Sequence, residues 1–159
     1  MPNWIPTSFE IKFDSESNIL IIEHQFPDLG DIFWKKNVEL KNGLSEKQPN
    51  QKEIKQVCEV FYQSIVLKIA VELANQLKCQ SDIAIVINGW ADYTVKATGN
   101  KKRAYCASLM AKIEALRELN LKTLDPRNAF NSLKGIAARS LELTPITPQV
   151  KINVEDKRF

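Results

Sequence analysis

Apolar residues between positions 50 and 78 recur every third or fourth residue, and the charged residues of this stretch fall mostly off that seam. This spacing puts the apolar side chains on one face of a helix, so it predicts one long helix over residues 50–78. Each large apolar side chain contributes about 1.5–3 kcal/mol on burial before entropy is counted, so we expect this helix to lie across a sheet as the centre of the core. The seam consists of Ile54, Val57, Phe61, Ile65, Ile69, Leu73 and Leu77.

Several shorter segments have the patterns of β-strands. The first is rich in β-branched residues and ends before Pro27, whose missing N–H interrupts a ladder. The second is a continuous apolar run, which is typical of a strand buried on both faces. Turn-forming residues around Gly99-Asn100 join it to the third as a hairpin. The predicted strands span residues 18–25, 82–89, 103–110 and 149–154, with a further short one near 38–41.

Two more helices are expected in the C-terminal third, over residues 111–119 and 125–141. The second begins with Asp125 as a good N-cap and Pro126 at the first helical position. Residues 1–13 contain two prolines and predict an extended lead-in, so the domain proper is expected over 14–159. The elements lack regular βαβ spacing, and we therefore predict an α+β fold in which a small mixed sheet packs on one long central helix.

Composition is that of a single globular domain. The chain has 159 residues, of which 44% are hydrophobic, and a net charge of +3, which is too small to indicate nucleic-acid or membrane binding by itself. No apolar run approaches the roughly 20 residues that span a bilayer, and no signal peptide is recognisable at the N-terminus, so a cytoplasmic protein without membrane contact is expected. The three cysteines have neither disulfide nor zinc-site spacing, and no cofactor or metal is expected.

Catalytic patterns are scarce. His24 is the only histidine, it lies in a strand pattern, and there is neither a nucleophile elbow nor a glycine-rich phosphate loop. One alternative is a small magnesium-dependent nuclease, in which an acid on one strand and an acid-x-Lys on the next hold the metal and position a water. Asp31 followed by Glu39-Leu40-Lys41 has this order. The alternative is that these residues lie in a solvated loop and have this order by chance.

A basic cluster follows the second predicted strand. Between residues 96 and 117 six cations are opposed only by Glu114, and aromatic residues at 90, 93 and 105 are interleaved with them. Positive charge beside aromatic faces suits phosphate contact with base stacking, which makes this cluster the candidate nucleic-acid-binding site. The alternative is a hairpin tip that is simply solvated by lysines. The six cations are Lys96, Lys101, Lys102, Arg103, Lys112 and Arg117.

Asn88, Gly89, Trp90 and Asp92 form a motif with two interpretations. Because glycine tolerates positive φ and tryptophan commonly caps a core, the motif predicts a tight turn at the end of the strand. A loop of the same composition also binds ligands. A concave pocket beside Trp90 and Tyr93 would indicate a ligand-sensing or protein-interaction domain.

From about Phe13 to Phe159, the order of these motifs resembles the region that precedes the nuclease domain in Mrr-like restriction endonucleases. The resemblance implies a role in defence against foreign DNA. It also implies that this chain is a non-catalytic accessory domain, because the family's acid-x-Lys cleavage centre lies beyond the position of Phe159. Whether this domain contacts DNA, senses a ligand in a regulatory role or only holds the nuclease stays open. Its expected partners are DNA, bound weakly and without sequence preference, and a nuclease domain in cis or in trans; the oligomeric state stays open. The matching residues are Asn88, Gly89, Asp92, Thr98, Gly99, Ser108, Asp125, Pro126, Leu133, Pro145, Pro148, Asp156, Arg158 and Phe159.

Overall fold

The computed structural model describes residues 8–27, 50–78, 82–139, 146–148 and 150–152, and the backbone of 36–40 and 43–47. Along the chain the elements are β1 Phe9–Asp14, β2 Ile19–Gln25, β3 Lys36–Leu40, β4 Gly43–Lys47, α1 Gln51–Gln76, β5 Ala84–Thr94, β6 Lys101–Lys112, α2 Ile113–Arg117, α3 Pro126–Ser132 and β7 Ile136–Ala137.

Within the described residues, five strands form one sheet in the order β1, β2, β5, β6, β7. Strands β2 and β5 are parallel, and every other neighbouring pair in this sheet is antiparallel. Strands β3 and β4 pair with each other as a separate hairpin. A mixed sheet with one long helix and further short helices confirms the predicted α+β fold.

Helix α1 begins and ends close to the predicted positions. Asn50 is its N-cap: the Asn50 side chain accepts from the Glu53 backbone at 2.9 Å, and the Glu53 carboxylate accepts from the Asn50 backbone at 3.0 Å. This capping box satisfies two backbone N–H groups that the helix itself leaves unpaired. At the other end, the last turn of α1 contains no basic residue, and a side chain from α2 takes that place, as described below.

The most deeply buried stripe of α1 is not the predicted seam. It includes small residues, Cys58, Ala70 and Ala74, which let the helix approach the sheet closely. The larger seam residues flank this stripe and are mostly partly buried, and Val57 is 43% exposed. Periodicity therefore predicted the helix correctly, but it did not predict which face of the helix lies nearest the sheet.

The two faces of the sheet are covered differently. Helix α1 packs against β5 and β6, and apolar side chains such as Ile22, Ile87 and Leu109 join its buried residues in one core. Ile146 lies at the edge of the sheet beside β6, where its backbone donates to the Tyr105 carbonyl at 3.1 Å in an isolated β-bridge. Residues 146–148 and 150–152, which we call the C-terminal segment, lead from this edge to the face opposite α1, where residues 150 and 152 contact polar side chains of β5 and β2.

Several predicted boundaries differ from the structure. Residues 9–13 of the expected lead-in belong to β1, which pairs with β2 along its whole length. The predicted helix over 125–141 ends at Ser132, and residues 136–137 form the edge strand β7 instead. The helix expected over 111–119 is a short one, α2. Of the predicted strand over 149–154, residues 150–152 are described and lie outside any strand, and the rest lies outside the described residues.

Candidate nucleic-acid interface

Strands β5 and β6 form a long hairpin whose tip is exposed. Thr94 lies opposite Lys101, and the Val95 backbone donates to the Asn100 carbonyl at 2.9 Å. Gly99, with φ of 69°, supplies the left-handed conformation that closes the turn, and its N–H donates to the Val95 carbonyl at 2.8 Å. The hairpin predicted between the second and third apolar strands is confirmed, although both strands are longer than expected.

The structure divides the basic cluster into two groups. Lys96 lies in the turn, and Lys101 and Lys102 begin β6; all three are exposed. Since successive strand residues point to opposite faces, Lys101 and Lys102 lie on opposite sides of the hairpin. Lys112 is at the far end of β6, about 35 Å from Lys101 along the strand at 3.2–3.4 Å per residue.

Arg103 braces the hairpin from within. Its Nε donates to Asp92 Oδ1 at 2.8 Å and its guanidinium donates to Oδ2 at 3.3 Å, across the two strands. The guanidinium carbon also lies 4.0 Å from the centre of the Trp90 ring. A planar guanidinium is suited to this combination of two-point pairing and stacking. Arg103 therefore holds the base of the tip in shape, and part of its charge is balanced by Asp92.

Arg117 occupies the C-terminal end of α1. Its Nε donates to the Ala74 carbonyl at 2.9 Å and its terminal nitrogen donates to the Leu77 carbonyl at 2.6 Å. These carbonyls carry the negative end of the helix dipole, so the cation stabilises the helix end that has no basic residue of its own. The structure thus separates Arg117 from the hairpin tip and gives it a role in packing α2 on α1.

The interleaved aromatic residues do not form an open stacking surface. Tyr105 is 3% exposed, and its hydroxyl donates to Glu23 Oε1 at 3.1 Å. One side of the Trp90 ring lies against Arg103, and Tyr93 packs against the core. The expected combination of phosphate contact with base stacking is therefore reduced to phosphate contact at this tip.

The predicted turn at Asn88-Gly89-Trp90 is wrong, because β5 continues to Thr94. The pairing with β6 shifts by one residue between Gly89 and Trp90, which is the mark of a β-bulge. Gly89 is required here by close approach: a Cβ at this position would overlap the ring of Phe26, which is 1% exposed. Glycine is therefore required at position 89, but the reason is the Phe26 ring packed against the backbone of a strand, and not a turn.

Beside this bulge, a row of buried polar side chains crosses three strands. Glu23, Asn88 and Ser108 are direct partners in β2, β5 and β6, and each is at most 5% exposed. The Ser108 hydroxyl donates to Asn88 Oδ1 at 2.8 Å, and Asn88 Nδ2 donates to the Val150 carbonyl at 2.5 Å. The Ile152 backbone donates to Glu23 Oε1 at 3.0 Å. Sequence reasoning missed this row, although a polar residue within each apolar strand was its visible signal.

His24 is adjacent to this row in sequence but points to the other face. Its ring stacks on Phe9 with centroids 6.0 Å apart, and its Nδ1 lies 2.7 Å from the Gln25 carbonyl oxygen. Since a carbonyl only accepts, Nδ1 carries the proton in this contact. Burial lowers the pKa of His24 below its ordinary value of 6.5, and the hydrogen bond to Gln25 opposes that shift. The predicted role of a strand-face histidine fits this geometry.

The residues of the nuclease alternative fall largely outside the described part of the chain. Asp31 and Lys41 lie outside it, and Glu39 lies in β3, of which the backbone is described. Among the described residues, no three His, Cys, Asp or Glu side chains gather closely enough to hold a metal ion. This alternative stays a prediction.

One shallow cavity of about 250 Å³ lies between α1 and the loop before α3, away from Trp90 and Tyr93. Its lining is mainly apolar, with Lys68 and Ser64 at its edge. This cavity is therefore not the pocket beside Trp90 and Tyr93 that a ligand-sensing domain would have. None of the helices in the described ranges combines the length and apolar character needed to cross a bilayer.

Comparison of the chain with protein-family models, with curated proteins and with solved structures finds no match. The functional interpretation therefore depends on the geometry of the chain itself.

Proposed function

We propose that this chain is a non-catalytic accessory domain that contacts DNA through the tip of the β5–β6 hairpin, in the cytoplasmic setting of an Mrr-like restriction endonuclease. One observation carries the DNA contact: Lys101 and Lys102 are exposed at a braced tip, and no acidic residue occurs between Asp92 and Glu114. The association with a nuclease, and hence with defence, is supported by the motif order described for the sequence.

The contact is electrostatic in this proposal. Lysine ammonium groups bind phosphate oxygens, which carry no sequence information, and the aromatic residues that would read bases are engaged within the fold. The bracing by Arg103 reduces the conformational entropy lost when the tip meets a phosphate backbone. We therefore expect weak binding of any duplex with little sequence preference.

The number of lysines sets the expected salt dependence. Each neutralised phosphate contributes about −0.9 to the slope of log affinity against log salt on duplex DNA. With Lys96, Lys101 and Lys102 in contact, the slope is expected to be about −3. Affinity then falls roughly 40-fold for a fourfold rise in salt.

The test is fluorescence anisotropy with a labelled duplex at several salt concentrations. The variant Lys101→Ala/Lys102→Ala is expected to reduce the magnitude of the slope by about 2. A matched control, Lys112→Ala/Lys122→Ala, removes the same charge from exposed positions away from the tip and is expected to leave the slope unchanged. Equal loss in both variants would mean that overall charge, and not the hairpin, attracts DNA.

A nuclease assay separates this function from its rival. Supercoiled plasmid incubated with the chain and Mg²⁺ or Mn²⁺ is expected to remain intact. Cleavage that is abolished by Glu39→Ala would instead support the magnesium-dependent nuclease.

A further inference from the structure

Strand β1 is an edge strand with apolar side chains in solvent. It pairs with β2 on one side, and within the described residues no strand pairs with its other side. Phe9, Ile11 and Phe13 alternate along it, so they share one face, and they are 56%, 53% and 49% exposed. A regular edge with exposed apolar residues is a template for pairing with another strand.

The outward-facing backbone groups of β1 can be assigned from the ladder. The Gln25 N–H donates to the Ser8 carbonyl at 2.8 Å, and residue 8 lies opposite residue 25 in the register. Hydrogen-bonding positions alternate along an antiparallel strand. The N–H and C=O groups of Phe9, Ile11 and Phe13 therefore point away from β2, towards the open edge.

The sequence of this edge is complementary to itself. If a second copy of β1 lies antiparallel with Ile11 opposite Ile11, then Phe9 lies opposite Phe13, and Glu10 lies opposite Lys12. All outward backbone groups of the three apolar residues are then paired. Opposite charges face each other twice, once on each side of the two-fold axis.

Other registers are disfavoured by the same residues. A shift of two positions sets Glu10 against Glu10 or Lys12 against Lys12, and a parallel arrangement with these residues in register does the same. A shift of one position sets apolar residues against charged ones. Like charges directly opposite are destabilising, so the strand specifies one pairing.

The charge on Glu10 gives a second reason to expect pairing between two copies of β1. Within the chain its direct partner is Glu23, a like charge, and the second copy would add Lys12 on its other side. The Lys12 Nζ lies 3.4 Å from the Ile152 carbonyl, and an ammonium has three protons to donate. Lys12 is thus able to keep this contact and still meet a carboxylate across the edge.

We infer that two copies of this chain dimerise through antiparallel pairing of β1 about a two-fold axis at Ile11, which joins their sheets into one. The inference depends on β1 alone and is independent of the proposed DNA contact. The hairpin tip belongs to other strands, so both events are compatible.

Charge exchange across the axis tests it. Sedimentation equilibrium of the full chain over a range of concentrations is expected to show a monomer–dimer equilibrium. Glu10→Lys alone, or Lys12→Glu alone, sets like charges together twice and is expected to weaken dimerisation by about tenfold or more. An equimolar mixture of these two variants, and the double variant Glu10→Lys/Lys12→Glu, restore opposite charges and are expected to restore dimerisation.

A monomer at every concentration would overturn the inference. So would a dimer that both single variants form as strongly as the wild type does, because another surface would then form it. Circular dichroism of each variant checks that it folds. Hydrogen exchange gives an independent readout: the amides of Phe9, Ile11 and Phe13 are expected to gain protection as concentration rises, and unchanged exchange there would also contradict the proposed pairing.

Discussion

Asn88 shows at the scale of one residue why a polar side chain is retained in an apolar strand. Fully buried, it accepts from Ser108 with one end of its amide and donates to the Val150 carbonyl with the other. Hydrogen bonds of this kind contribute little net energy, but a buried group left without its partner costs much more. The amide therefore fixes where the C-terminal segment lies on the sheet.

Removing the Ser108 hydroxyl is expected to destabilise the fold. Ser108→Ala leaves the Asn88 carbonyl oxygen without this donor, and the free energy of unfolding should fall by about 1–3 kcal/mol. Urea denaturation measures it. In the control Ser132→Ala, an exposed hydroxyl that donates to the Ala129 carbonyl is lost, and the change should stay within about 0.5 kcal/mol. Equal effects would argue against the importance of the buried row.

His24 makes stability depend on pH in a defined direction. Burial lowers its pKa below 6.5, so the unfolded chain takes up a proton at a higher pH than the folded chain does. The stability that comes from the neutral ring is complete above pH 6.5 and is lost as the pH falls through the folded-state pKa.

The variant His24→Phe keeps a ring beside Phe9 and does not titrate. The difference in unfolding free energy between the wild type and this variant is expected to shift against the wild type as the pH falls from about 8 to about 5. Thermal or urea denaturation at several pH values measures it. A difference that stays constant with pH would mean that His24 titrates alike in both states.

These residue-level roles were only partly open to prediction from sequence. The sequence pattern indicated the basic cluster and the glycine, but it did not indicate their partners. Arg103 contacts residues of the facing strand, and Gly89 contacts the ring of Phe26. The β-bulge between Gly89 and Trp90 depends on the pairing of two strands, so one strand alone does not show it. The partners in the buried row are far apart in sequence. That these residues are neighbours becomes clear only once the register of the three strands is known.

At the scale of elements, prediction succeeded where the pattern was long. Helix α1 spans 26 residues, which is long enough for its periodic pattern to be clear, and a capping box stabilises its N-terminal end. Strand β1 was missed because prolines precede it, although the alternation of Phe9, Ile11 and Phe13 was an available signal. Strand β7 has two residues, which is too short for any periodicity.

The contact between α2 and the end of α1 yields an element-scale prediction. Arg117→Lys keeps the charge but loses two-point contact with the carbonyls of Ala74 and Leu77, so the free energy of unfolding should fall by about 1 kcal/mol. The control Arg127→Lys alters a longer ion pair of 3.7 Å between the exposed Arg127 and Glu59, which also pairs with Arg139 at 3.0 Å, and should have a smaller effect. Denaturation curves of both variants decide it; a larger loss in the control would contradict the capping role.

At the scale of the molecule, two features of the sheet are directed outward. The β5–β6 hairpin projects lysines from one end, and β1 presents an edge with which no strand in the described part of the chain pairs. Charge clustering predicted the first, since cations accumulate where solvent or phosphate is the neighbour. The second required the strand order, because a sequence does not show which strand ends a sheet. The first feature carries the proposed contact with DNA, and the second carries the proposed dimerisation.

The proposed contact between the hairpin tip and DNA is tested most directly by an NMR titration of the isotopically labelled chain with a short duplex at low salt. The proposed DNA contact predicts that the largest changes in backbone amide shifts occur at residues 95–102, in fast exchange, and fade as salt is added. Residues 113–117, which form α2 beyond the far end of the hairpin, should change little. Absence of any shift with DNA in excess, or shifts centred away from residues 95–102, would contradict the claim that this hairpin contacts DNA.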